Sequence, residues 1–219
     1  MKTIRTLLKA YAKDIRSKRM SNPAVAEPGL APTFHKLLEA IVDASPFSDL
    51  VVTGEYTKKS IGRPDIAIGV KAAPPRGFIE LKALSKALEP HRWRGHDKRQ
   101  FERFASLGNW ALSNFQFITL YVRNVEVANA AILPATALDP STTDKSADAL
   151  IDRHDVTAFE ALLDRLFNTT RAAPAASNAK ELAEYLAHSA RLVRAIITDR
   201  LVEIGKGADP LIDVRQEFR

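Results

Sequence analysis

Two runs, Gly62-Arg63-Pro64-Asp65-Ile66-Ala67-Ile68-Gly69-Val70 and Phe78-Ile79-Glu80-Leu81-Lys82, decide the fold, and the turn chemistry from Lys71 to Gly77 separates them. Within them Pro64 to Val70 and Phe78 to Leu81 are short and rich in β-branched or aromatic residues, so they read as consecutive strands of a meander. Alternate side chains of a strand share a face, which points Glu80 and Lys82 one way while Ile79 and Leu81 pack inward. If the two strands pair, Asp65 lies roughly 5 Å from that charged face across the ladder. Two carboxylates on one face make an oxygen-ligand site for a hard divalent cation, with Mg2+ the natural occupant.

Upstream, Leu50-Val51-Val52-Thr53 reads as an earlier strand, followed by a polar turn from Lys58 to Gly62. Before it, Phe34, Leu37, Leu38, Ile41 and Val42 recur at helical spacing, with Thr33 as the expected cap and Ser45-Pro46 as the end. Ser21 to Pro32 reads as a loop, because Asn22-Pro23, Glu27-Pro28-Gly29 and Pro32 all interrupt regular structure. Met1 to Met20 reads as an amphipathic basic helix, with Ile4, Leu7, Leu8, Tyr11 and Ile15 opposite Lys2, Arg5, Lys9, Lys13, Arg16, Lys18 and Arg19.

Downstream, Leu84 to Gly95 is basic and irregular, and Lys86, His91, Arg92, Arg94 and Lys98 gather around Trp93. The spacing of Phe101, Phe104 and Leu107 predicts a helix over 96–107, with Gln100 beside the apolar stripe. Strand patterns follow at 109–112, 117–122 and 125–133. The expected class is α/β, a mixed central sheet flanked by helices. After Pro134 come a polar linker, a helix near 158–167, a small-residue stretch, and a long amphipathic helix from Ala179 to about Ile204. Leu211 to Arg219 begins a further helical pattern that runs out, as expected of a piece of a longer polypeptide. The expected divisions are therefore 1–32, a basic helix and loop; 33–135, the core; 136–178, a linker with a short helix; and 179–219, a C-terminal helical segment.

The composition, 46% hydrophobic and 26% charged, is that of a folded chain rather than a disordered one. A formal charge of +6 favours polyanionic partners. The absence of cysteine excludes disulfides, thiolate metal sites, iron–sulfur clusters and cysteine nucleophiles, so any metal sits on oxygen or imidazole. No apolar run is long enough for a membrane span and no signal-peptide core is present, which places the chain in the cytoplasm by expectation. His91 and His96 lack further ligands at regular spacing, so their loop is better suited to phosphate than to a histidine-held metal.

Pro64-Asp65 followed by Glu80-Leu81-Lys82 resembles the PD-(D/E)xK nuclease signature in both residues and strand context. The longer run from Thr33 to Val127, including His96 to Phe104 and Asn109-Trp110, is similar to the N-terminal nuclease domain of single-polypeptide restriction–modification enzymes. In those enzymes the chain continues into an N6-adenine DNA methyltransferase. The resemblance implies a restriction-endonuclease-like core and Mg2+-dependent hydrolysis of double-stranded DNA, with Mn2+ able to substitute. It implies Asp65 and Glu80 as metal ligands, Lys82 as the catalytic lysine and Gln100 as an additional site residue. It further implies an acidic residue from the first helix or strand, and leaves Glu55 and Glu39 both open. Arg63, Lys86, Arg92, Arg94 and Lys98 are the expected DNA contacts. No Asn-Pro-Pro-Tyr type motif and no phosphate-loop motif is present, so methylation and translocation would reside elsewhere. One such centre cuts one strand, so a monomer that pairs transiently on DNA is expected. A silent DNA-binding module with a nuclease fold, and a repair or recombination nuclease, are the alternative readings.

Overall fold

The computed structural model describes residues 3–22, 25–54, 56, 63–71, 73–104 and 107–172, together with isolated positions between 183 and 198. It falls into two compact units, residues 1–71 with 75–173, and residues 72–74 with 174–219. In the second unit Ala183, Leu186, Ala187, Ala190, Arg194, Ile197 and Thr198 are helical, as the pattern over 179–204 predicts. The rest of that pattern lies outside the described residues, as does Leu211 to Arg219.

The first unit begins with α1 (Ile4–Ser21) and α2 (Glu27–Asp43), then β1 (Leu50–Gly54), β2 (Ile66–Val70) and β3 (Gly77–Leu81). α3 (Gly95–Phe104) leads into β4 (Asn109–Ser113), β5 (Phe117–Val122) and β6 (Val125–Ala131), and α4 (Asp144–Arg153) and α5 (Thr157–Arg171) complete it. The strands form one sheet in sequence order, antiparallel throughout except where β3 and β4 run parallel. That exception follows from chain economy: parallel neighbours need a crossover, and the segment carrying α3 supplies it. Arg123 and Asn124, both with positive φ, close the β5–β6 hairpin in two residues, the backbone twist such a loop demands. This is the mixed α/β architecture expected from the strand and helix patterns, and it is compatible with the restriction-endonuclease-like core that the resemblance implies.

The sheet buries its two faces differently. Ile66, Ile68, Ile79, Leu81, Ala111, Ile118 and Leu120 belong to a large core with α1, α2, α4 and α5. Ala67, Phe78, Trp110, Leu112 and Tyr121 form a smaller aromatic cluster with Trp93, Phe104 and Leu107. Leu8 and Ile15 of α1 and Ile151, Phe159 and Leu166 of α4 and α5 are sealed within the same large core. At Gly77 a side chain would collide with Thr170 of α5, so β3 can approach that helix only through glycine.

α2 corrects one expectation. It starts at Glu27 rather than near Thr33, and Thr33 is an interior residue whose hydroxyl donates to Asp14 at 2.5 Å and accepts from Lys18 at 2.6 Å. Pro28 sits in the first turn, where a helix needs no amide proton. Pro32 lies inside and forfeits one helical hydrogen bond, but Leu30 and Phe34 on either side are fully buried and hold the turn by packing. The extra turns carry Glu27 to the charges of Asp65, Lys82 and Asp97. No helix among the described residues is long and apolar enough to cross a membrane.

Candidate active site

β3 is buried along its whole length, and its alternation divides it as the sequence predicts. Ile79 and Leu81 enter the large core, while Phe78 joins the aromatic cluster and Glu80 and Lys82 carry charge. Both charged residues are nearly sealed, at 4% and 7% exposure. Lys82 extends the strand pairing, its amide donating to the Ser113 carbonyl at 2.8 Å. Its Nζ donates to Glu80 Oε1 at 2.8 Å and to Gln100 Oε1 of α3 at 2.7 Å. A buried ammonium with two oxygen acceptors is fixed in direction as well as position.

Asp65 stands just before β2, and the β2–β3 register of Ile66 opposite Ile79 brings it alongside Glu80. Its Oδ2 accepts the Leu81 amide at 2.7 Å, which ties the carboxylate to the strand between Glu80 and Lys82. Glu27 reaches the same place from the start of α2. Burial and the charge of Asp65 push the Glu80 carboxyl up to about 8, against the opposing pull of Lys82. Burial and Asp65 likewise push Glu27 up to about 7. Three carboxyl groups thus repel one another around one lysine, with Glu80 among them nearly sealed from water.

Asp97, in the first turn of α3, supplies the other wall. Its Oδ2 accepts from Lys86 at 2.7 Å and its Oδ1 lies 3.8 Å from Lys82 Nζ. The hydrogen bond from Lys86, followed by the charge of Lys82, holds its carboxyl below the ordinary aspartate range. Gln100 follows on the next turn of the same helix, and Phe101 packs edge-on against Trp93, Trp110 and Tyr121, fixing α3 over the sheet.

The structure therefore gathers Asp65, Glu80, Lys82 and Gln100, and adds Glu27 and Asp97, which the sequence reading passes over. Glu55 lies outside the described residues. Glu39 lines a cleft of about 470 Å³ that Glu27 and Asp65 also line, but its partner is His35, at 3.3 Å. Between the two glutamates of α2, it is Glu27 whose charge is felt by Glu80. Of the expected DNA contacts, Lys86 borders the site. Arg63, Arg92, Arg94 and Lys98 are exposed; Arg92 pairs with Glu89 at 2.7 Å and Lys98 lies 3.9 Å from Glu102.

The donor set fits a hard divalent cation. Its atoms are carboxylate oxygens, Glu80 Oε2 is buried without a hydrogen-bond partner, and burial together with the neighbouring Asp65 raises the Glu80 and Glu27 carboxyls. Among the described residues no three such side chains close into a cage.

No protein-family model matches the chain, and no curated protein does. Its fold is similar to part of a chain in a solved cryo-electron-microscopy structure of the DrdV–DNA complex, with a TM-score of 0.55 and 17% sequence identity. The likeness covers 75% of this chain and 14% of that one. At that identity it establishes shared architecture.

Proposed function

We propose that the chain is a Mg2+-dependent endonuclease that hydrolyses DNA phosphodiester bonds, and that it is the cleavage domain of a restriction–modification system. The observation that carries this reading is the sealed Glu80–Lys82 pair on one face of β3, with Asp65 bound to the same strand and Gln100 closing over the lysine. A purely structural ion pair would match its charges; this one leaves Glu80 Oε2 unpartnered and faces two further carboxylates.

Asp65 and Glu80 would hold the cation, and Glu27, the acidic residue contributed by α2, would adjoin it. When bound, the cation would neutralise charge growing on the scissile phosphate. Lys82 directs its ammonium at the space beside Glu80, where it orients the attacking water and opposes the negative charge of the transition state. Gln100 keeps Lys82 from collapsing wholly onto Glu80 by offering a second acceptor of similar length. Duplex DNA would be drawn in by Arg63, Arg92, Arg94 and Lys98 on the surface. A methyltransferase region elsewhere in a longer polypeptide is part of the proposal, on the resemblance of the run from Thr33 to Val127 alone. So is a monomer that pairs transiently on DNA, which a tight dimer in sedimentation without DNA would contradict.

The test is nicking of supercoiled plasmid with Mg2+ or Mn2+ by the wild-type chain and by Asp65→Ala and Lys82→Ala. Metal-dependent nicking lost in both variants supports the assignment. Equal activity in all three proteins rejects it.

A further inference from the structure

We propose that Lys86 is a second phosphate-contacting cation of this site, and that Asp97 is the positioning residue that holds Lys86 and Lys82 in register until a phosphate displaces it. The inference rests on the reading of the site as a phosphodiester-cleaving centre. One carboxylate spans two ammonium groups four residues apart in sequence: Asp97 Oδ2 to Lys86 Nζ at 2.7 Å, and Oδ1 to Lys82 Nζ at 3.8 Å. A lysine at the rim is thereby aligned with one that is buried.

The rest of Lys86 is built to hold that alignment. Its amide donates to the Ala83 carbonyl at 2.7 Å, and its own carbonyl accepts from Asn114 Nδ2 at 2.8 Å. Its ammonium lies 5.5 Å from the centre of the Trp93 ring. Trp93 is fixed in turn, by an indole hydrogen bond to the Ala87 carbonyl at 3.1 Å and an edge-on contact with Phe101. The main chain and the aromatic platform are anchored while the Lys86 side chain stays 39% exposed. Arg92 is 74% exposed and Lys98 55%, so they leave more of the side chain to solvent than Lys86 does.

Asp97 is 30% exposed and carries the same sign as a DNA phosphate. A phosphate approaching Lys86 therefore competes with Asp97 for the ammonium, whereas Lys82 keeps Glu80 and Gln100 as partners throughout. Asp97 should thus oppose binding and favour turnover. An ordinary stabilising ion pair has no reason to affect the two in opposite directions.

The experiment measures the affinity of the full chain for a fluorescent DNA duplex in Ca2+ over a series of salt concentrations, and plasmid nicking in Mg2+, for wild type, Asp97→Asn, Lys86→Ala and Lys86→Arg. Asp97→Asn is expected to bind the duplex about fivefold more tightly, the upper range for a partly exposed pair. It should nick roughly 10- to 100-fold more slowly, because Lys86 then meets the phosphate without the alignment to Lys82 that Asp97 gives it. Lys86→Ala should reduce the slope of log affinity against log salt by about 0.9, the signature of one lost phosphate contact, and Lys86→Arg should restore it. Weaker binding by Asp97→Asn, or an unchanged salt slope for Lys86→Ala, would overturn the proposal. If wild type binds without nicking, the affinity and slope comparisons still decide it. If wild type neither binds nor nicks, it is the underlying reading of the site that fails.

Discussion

Arg16 and Lys82 are both nearly closed off from solvent, at 3% and 7% exposure, yet their surroundings are arranged to opposite ends. Arg16 lies in α1 and donates to the Ala137 carbonyl at 2.7 Å and to Asp144 Oδ1 at 2.6 Å, at the start of α4. Arg5 of the same helix donates to the carbonyls of Ile151 and His154, at the other end of α4. Arg5 and Arg16 thus clamp α1 onto both ends of α4, and the Asp144 that Arg16 grips is held below its ordinary pKa, first by Arg16. Lys82 instead sits among carboxylates that are pushed up and beside a Glu80 oxygen with no partner. A buried cation that satisfies its neighbours holds a fold together; one among unsatisfied anions marks a place that awaits something else.

Substituting each cation separates the two cases most sharply. Lys82→Ala should reduce nicking by about 100- to 1,000-fold, the usual cost of removing one charge-stabilising group at a reacting centre, while duplex affinity persists. Arg16→Ala should leave the nicking rate per folded molecule unchanged. Comparable activity losses from both would erase the distinction. The next effect is on stability: Arg16→Ala strands the buried Ala137 carbonyl and breaks a charge-assisted bond, so the urea midpoint should fall by the equivalent of about 2–3 kcal/mol. A loss below about 0.5 kcal/mol would place Arg16 among ordinary surface substitutions and deny it the clamp.

In sequence, α1 and the segment around Trp93 look alike, as runs of Lys and Arg threaded with apolar residues. Only their tertiary partners separate them: α4 for the first, the lysine-bearing end of β3 for the second. The meander, the alternation of Glu80 with Ile79 and Leu81, and the placing of Gln100 in the following helix can all be read beforehand, because strand and helix periods are local. Glu27 was obscured by real helix breakers, Pro28, Gly29 and Pro32. Yet Leu30 already continues the stripe of Phe34, Leu37, Leu38 and Ile41, and an acidic residue followed by proline is itself a helix-start signal. Asp97 carried no such signal. In a basic stretch it reads as a solvated charge, and its place between Lys82 and Lys86 exists only once α3 folds back over β3.

The smallest expected effect concerns pH, and it too divides the two neighbourhoods. Glu80 is raised from 4.5 to about 8 and Glu27 to about 7, so the folded chain binds these protons more tightly than the unfolded chain does. Their contribution is therefore most favourable below 4.5 and is lost as pH rises through the window up to about 7 for Glu27 and 8 for Glu80. The clamp titrates elsewhere: Asp144 is lowered from 3.8, so what it contributes is present above that value and is lost only on further acidification. Without divalent cations, raising the pH from 5 to 8 should cost on the order of 1–2 kcal/mol, once relaxation and water entry around the carboxylates are discounted. Mg2+ should recover that loss at pH 8 and change little at pH 5, because it competes with protons for the same oxygens. Glu80→Gln, which cannot ionise, should flatten most of the pH dependence and weaken the response to Mg2+. Thermal unfolding midpoints across this matrix of pH, cation and variant give the answer; a midpoint that rises from pH 5 to 8 in the metal-free wild type would mean the carboxylates around Lys82 are not the strained group.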